Sequence, residues 1–104
     1  MSQPNPVNKG ENVPSEFRNW AQHNGFDDAS QLSKIRDLFG QTKYGQPLMS
    51  EDGRDTIKDA VEEIGDLLHY LYKARMNNLD VDSIRKYLPV LIALCDDDFV
   101  RYSS

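Results

Sequence analysis

The sequence predicts an all-α protein, a compact bundle of about four helices with one long central helix. Three observations predict it. Apolar residues recur at helical spacings through most of residues 17–95. Capping residues and glycines punctuate those stretches. No strand-like alternation runs longer than four residues. With 104 residues, the chain suits a single domain.

Residues 1–13 hold Pro4, Pro6, Gly10 and several asparagines, with only Met1, Val7 and Val13 apolar. This composition predicts a flexible arm, followed by one helical domain over 14–104. The first helix is short, with Ser15 as its expected cap after Pro14 and Phe17, Trp20 and Ala21 as its apolar face. Gly25 suits the left-handed position that ends a helix, and Phe26 supplies the accompanying apolar contact. Asp28 and Gln31 resemble a capping box for the second helix. Leu32, Ile35, Leu38 and Phe39 form its apolar face, and Gly40 is its expected stop. A loop is expected over residues 41–52, where Gly45 and Pro47 interrupt any periodicity. Interior loops of this length are often functional, and the alternative is a plain connector packed down by Tyr44, Leu48 and Met49.

The third helix is expected over about 53–76, capped by Asp52 and closed by Asn77 and Asn78. At 1.5 Å per residue it would be roughly 36 Å long. Gly65 in its middle costs about 1 kcal/mol relative to alanine, which the close approach of another helix would explain. Beyond it, Ile84, Leu88, Leu91 and Cys95 mark a fourth helix that Pro89 should kink or split. Asp96, Asp97 and Asp98 oppose the helix dipole and should end it, leaving Phe99, Val100 and Tyr102 in a tail that packs back. Cys95 reads as a buried, inert thiol.

Composition narrows the functional classes. Hydrophobic residues make up 38% and charged residues 28%, and 12 Lys and Arg stand against 17 Asp and Glu for a net charge of −5. Nucleic-acid binding is disfavoured, because it relies on basic side chains that neutralise phosphates. No apolar run reaches the ~20 residues of a membrane span, and residues 1–12 show no secretory h-region. A lone cysteine cannot form an internal disulfide, which fits a cytoplasmic location. Walker, CxxC, HExxH and GxSxG motifs are absent from the sequence.

The third helix has two faces. At about 100° per residue, Ile57, Ala60, Val61, Ile64, Leu67, Leu68 and Leu71 form a continuous apolar arc, as a core helix requires. Asp55, Asp59, Glu62, Glu63 and Asp66 share the opposite arc, with Lys58 as the only base in that stretch. Like charges four apart cost a few tenths of a kcal/mol each, and solvated helices usually interleave bases at such spacings. One explanation is a hard-cation site, in which carboxylate oxygens converge on Mg²⁺ that in turn holds substrate phosphates. The other is an exposed face, or one paired with bases such as Lys34, Arg36, Lys43 or Arg85.

Neighbouring residues extend either explanation. His69 could ligate a metal or donate to a carboxylate, or lie plainly at the surface. Tyr70 and Tyr72 suit packing more readily than base stacking. Arg54, at the helix start beside Lys43 and Tyr44, is placed to contact phosphate or to pair with Asp52 or Asp55.

The segment Glu62-Glu63-Ile64-Gly65-Asp66-Leu67-Leu68 resembles the ExxD-bearing helix of MazG-type all-α nucleoside triphosphate pyrophosphohydrolases. The longer string KYGQPL…DGRDTIKDAVEEIGDLLHYL is similar to small phage-encoded proteins grouped with that family. The resemblance covers about residues 43–73. It implies Mg²⁺-dependent release of pyrophosphate from a nucleotide, in a homo-oligomer of helical protomers. Glu63 and Asp66 match ExxD and would be catalytic. Asp59 and Glu62 would join them as metal ligands, with Lys43, Tyr44, Arg54, His69 and Tyr70 against the substrate. The family's second motif, EExxE on the preceding helix, has no counterpart: ASQLSKIRDLF carries Asp37 as its only acid. Two functional expectations follow. One is a nucleotide-binding protein, with or without hydrolysis. The other is a non-catalytic phage-type protein that binds a host protein through its acidic face.

Overall fold

A computed structural model describes residues 3–101. It is all-α, with helices α1 (Val13–His23), α2 (Asp27–Tyr44), α3 (Thr56–Met76), α4 (Asp82–Arg85) and α5 (Leu88–Cys95). No strand forms among the described residues, although Asn12 and Met49 make an isolated antiparallel bridge. No helix there is long and apolar enough to cross a membrane.

The core lies between α1, the start of α2, and α5. Trp20, Ala21, Ala29 and Val90 are buried, with Phe17, Phe26, Tyr87 and Ala93 packed against them. Trp20 is the hub: its ring centroid lies 5.6 Å from that of Phe26 and 5.4 Å from that of Phe99. The tail therefore does pack back through Phe99, while Tyr102 falls outside the described residues. Polar groups fasten the same helix pair. Arg18 Nη1 donates to Asp37 Oδ2 at 3.2 Å, and Gln22 Nε2 donates to the buried Ser30 hydroxyl at 3.0 Å.

Several helix ends differ from expectation, each for a local reason. Asn12, not Ser15, caps α1, accepting from the Ser15 amide at 3.1 Å. Pro14 sits in the first turn, where its missing N–H costs nothing, so the capping role moves upstream. Gly25 takes the expected left-handed conformation (φ 77°), and the Phe26 amide donates back to the Ala21 carbonyl at 2.8 Å. Asp27 and Asp28 then lie in the first turn of α2, where acids favour the dipole, and no side chain caps it.

Gly40 does not stop α2. The helix continues to Tyr44 and ends at left-handed Gly45, whose amide donates to the Gln41 carbonyl at 2.8 Å. A mid-helix glycine costs only about 1 kcal/mol. Here Gln41 bonds to Asp37 and Thr42 to the Leu38 carbonyl, carrying the helix past it. Asp55, not Asp52, caps α3 by accepting from the Lys58 amide at 3.0 Å. Gly53 is left-handed (φ 81°) and cannot lie in a helical first turn. The buried Asp52 carboxylate instead accepts from the Arg54 amide at 3.1 Å, an Asx turn. Pro89 splits the last helix as expected, into the single turn α4 and α5, and Asp96 is extended and ends α5. Cys95 is exposed rather than buried, because it closes the last turn of a helix of eight residues.

Residues 3–12, where composition suggests a loose arm, run antiparallel to the loop that follows α2. Val7 donates to the Asp52 carbonyl at 3.0 Å, Glu51 to that of Lys9 at 3.1 Å, Ser50 to that of Glu11 at 2.9 Å and Val13 to that of Leu48 at 2.9 Å. Gly10 (φ 92°) allows the closest approach, since a Cβ there would collide with the Ser50 side chain.

The apolar arc of α3 does not join the core. None of its residues is buried, and Ile57, Val61, Ile64 and Leu68 are all more than half exposed. Gly65 has nothing near the position a Cβ would take, so no helix of the same chain explains it.

Candidate functional site

The loop after α2 turns the chain so that the first turns of α3 face the end of α2. Between them lies a cleft of about 390 Å³, within the range of small-ligand sites. Gly40 and Tyr44 line it from α2, Gln46, Pro47, Leu48, Asp52 and Arg54 from the loop, Asp59, Glu62 and Glu63 from α3, and Pro6 from the arm.

Arg54 and Asp59 are joined side chain to side chain at this cleft. Nε and Nη2 of Arg54 each donate to an Asp59 carboxylate oxygen at 2.9 Å, a two-pronged pairing. Arg54 Nη1 also donates to the Pro4 carbonyl at 3.0 Å. Gln3 Nε2 donates to Asp59 at 2.8 Å, and the Gln3 side-chain oxygen Oε1 accepts from the Asp55 backbone amide. The arm is thereby tied to the start of α3. Hydrogen bonding from Arg54 holds the Asp59 carboxyl below the usual carboxylate range, against a smaller opposing effect of burial. The same pairing raises the Arg54 guanidinium. Arg54 therefore pairs with neither Asp52 nor Asp55 through its side chain, and the positive group that relieves Asp59 is a guanidinium.

Glu62 and Glu63 line the cleft as exposed carboxylates and make no ion pair among the described residues. Tyr44 presents an exposed ring at the same opening, with the Lys43 ammonium 5.2 Å from its centroid. Lys43 itself does not line the cleft. Asp66, His69 and Tyr70 are exposed farther along α3, outside it. The structure thus gathers Tyr44, Arg54, Asp59, Glu62 and Glu63 of the expected residues and leaves Lys43, Asp66, His69 and Tyr70 apart. Among the described residues, no three Asp, Glu, His or Cys side chains converge closely enough to hold a metal by themselves.

Gln46 was not apparent from the sequence as a site residue. Its Nε2 is buried and lacks a hydrogen-bond partner, in a residue that lines the cleft. A buried donor left unpaired costs about 1–3 kcal/mol, so this amide is available to an acceptor on a ligand. The available signal was its place in the loop between Gly45 and Pro47.

Comparison of the chain with protein-family models, curated proteins and solved structures found no match.

Proposed function

We propose that the cleft binds a nucleotide together with a divalent cation, as a MazG-like protein would, and that the chain works as a homo-oligomer. The observation that carries this reading is the mixed chemistry of one opening: two free carboxylates, a fixed guanidinium, an aromatic ring and an unpaired amide donor. Mg²⁺ typically takes only one or two protein carboxylates and completes its shell with phosphate oxygens and water. Glu62 and Glu63 fit that role, and Asp66 would complete the ExxD pair only from outside the cleft. The metal would supply charge neutralisation for a phosphate chain. Arg54, held by Asp59 rather than free to swing, presents a fixed positive group, and Lys43, over the Tyr44 ring outside the cleft, would have to swing inward to add a second. Tyr44 offers a stacking surface for a base and Gln46 Nε2 a donor to a base carbonyl. His69 and Tyr70 would act only on a part of the ligand extending along α3. Pyrophosphate release from a nucleoside triphosphate is the reaction that the ExxD resemblance adds.

Calorimetry with a panel of (d)NTPs, each with Mg²⁺ or Mn²⁺, tests binding, and a pyrophosphate-release assay on the same panel tests turnover. Binding is expected, and a Glu62→Gln, Glu63→Gln variant should bind at least about tenfold more weakly. Absence of binding with either cation would discard the reading.

A second reading rests on Asp66, exposed on α3 outside the cleft yet part of the same acidic arc. There the arc is a docking face for a basic host protein, without catalysis. Capture from a host lysate, repeated with Glu62→Lys, Asp66→Lys, separates the two, since only docking through the arc predicts loss of captured partners.

A further inference from the structure

The N-terminal arm is held in two different ways. Residues 7–13 are zipped to the loop after α2 by backbone hydrogen bonds at Val7, Lys9, Glu11 and Val13, and the Glu11 carboxylate pairs with Arg101. Residues 3–6 form no backbone–backbone hydrogen bond with another described residue. Pro4 and Pro6 lack the amide that such a bond needs.

This tip is fastened through side chains instead, and the groups that fasten it belong to the cleft or its edge. Arg54 Nη1 donates to the Pro4 carbonyl, Gln3 Nε2 donates to Asp59 Oδ1, and Gln3 Oε1 accepts from the Asp55 amide. Pro6 then forms part of the cleft wall.

A ligand in the cleft contends for the same atoms. Asp59 already occupies the Nε–Nη2 edge of the guanidinium. A phosphate that takes two parallel bonds from Arg54 is left with the Nη1–Nη2 edge, and the Pro4 carbonyl sits at Nη1, 3.0 Å away. A bond between two ions is stronger than one from a guanidinium to a neutral carbonyl, so the phosphate displaces the carbonyl. Across the ion pair, Asp59 Oδ1 accepts from both Arg54 and Gln3. A divalent cation drawing on that oxygen displaces Gln3 in the same way.

We propose that residues 3–6 are an autoinhibitory latch: the docked tip and a phosphate-bearing ligand exclude one another by competing for Arg54 Nη1 and Asp59 Oδ1. This deepens the nucleotide reading of the cleft and rests on it for the phosphate. Val7 is the hinge, because the backbone bonds between arm and loop begin there. The tip can therefore leave while the rest of the arm keeps its register. A ligand that needs the undocked state binds more weakly by the fraction of chains in that state. A tip held by a few partly exposed bonds is undocked in roughly one chain in ten, so the latch weakens binding by about tenfold.

Calorimetry of the full chain with pyrophosphate and Mg²⁺ reads this competition from the ligand's side. Gln3→Ala removes both bonds of that side chain and leaves the Pro4 bond, so it should bind pyrophosphate at least about threefold more tightly than the wild-type chain. Amide exchange of the wild-type chain reads it from the tip's side. The Asp55 amide, which donates to Gln3, should lose protection on addition of saturating Mg²⁺ and pyrophosphate, while the Ser50 and Glu51 amides, bonded to the zipped part of the arm, keep theirs. Equal or weaker binding by Gln3→Ala, or an Asp55 amide that stays protected, would overturn the latch and leave the phosphate reading of the cleft standing. Failure of both chains to bind pyrophosphate would overturn the two together.

Discussion

Helices α1 and α3 are both amphipathic, yet they meet opposite fates. The apolar face of α1 closes on α2 and α5, with Trp20 at the centre of three aromatic neighbours. The apolar face of α3, on a helix nearly twice as long, touches no core at all. The difference lies in the connections. A three-residue turn through left-handed Gly25 folds α2 directly back onto α1. The loop of residues 45–55 instead engages the N-terminal arm and places α3 with its acidic side toward the cleft. An amphipathic pattern thus states that a face needs covering without saying whether the same chain covers it.

The largest expected effect breaks the closed region. Trp20→Ala should cost about 3–5 kcal/mol, measured by denaturant titration followed by circular dichroism, since Trp20 is the only tryptophan. A loss below about 1 kcal/mol would mean that the aromatic cluster is not the core.

A smaller effect sharpens the contrast. Asn12→Ala and Asp55→Ala each remove a helix cap worth about 1 kcal/mol. The first should lower global stability, because α1 belongs to the core. The second should loosen α3 alone, seen as faster amide exchange in its first turn with little change in the α1 amides. Equal effects on both helices would show that α3 folds as one unit with α1.

The smallest effect concerns pH. The Asp59 carboxyl titrates below its unfolded-state value near 4. The folded form therefore binds its proton less readily, and the pairing with Arg54 favours folding at every pH above that value. The contribution fades as the pH falls through the lower folded-state value. Amide protection at the start of α3 should accordingly be flat from neutral pH to about 5 and decline below about 4, with Asp59→Asn removing that decline. Because both side chains are about a third exposed, the change should be modest and should shrink with added salt.

Much of the cleft was legible from the acidic arc and the string KYGQPL. Asp59, Glu62 and Glu63 share a helix face by simple periodicity, and Tyr44 and Arg54 were close enough in sequence to be suspected. The pairing of Arg54 with Asp59 was not legible. Arg54 precedes the helix cap, where helical spacing does not apply, and its direction is set by the Asx turn of Asp52 and left-handed Gly53. Asp66 illustrates the converse. It follows Glu63 by three and matches the motif, yet it lies about a turn farther along α3, beyond the cleft, so that of the two only Glu63 lines it.

The amino-acid sequence by itself determined the helices, the split at Pro89, the turn at Gly25 and the acidic and apolar arcs of α3. Each depends on interactions among residues a few positions apart, which every copy of that segment would make. Only the tertiary structure decided that the arm lies along the loop and that the apolar arc of α3 faces outward. Those outcomes depend on where a chain of many soft dihedrals brings distant segments together, and small differences in packing energy choose among them.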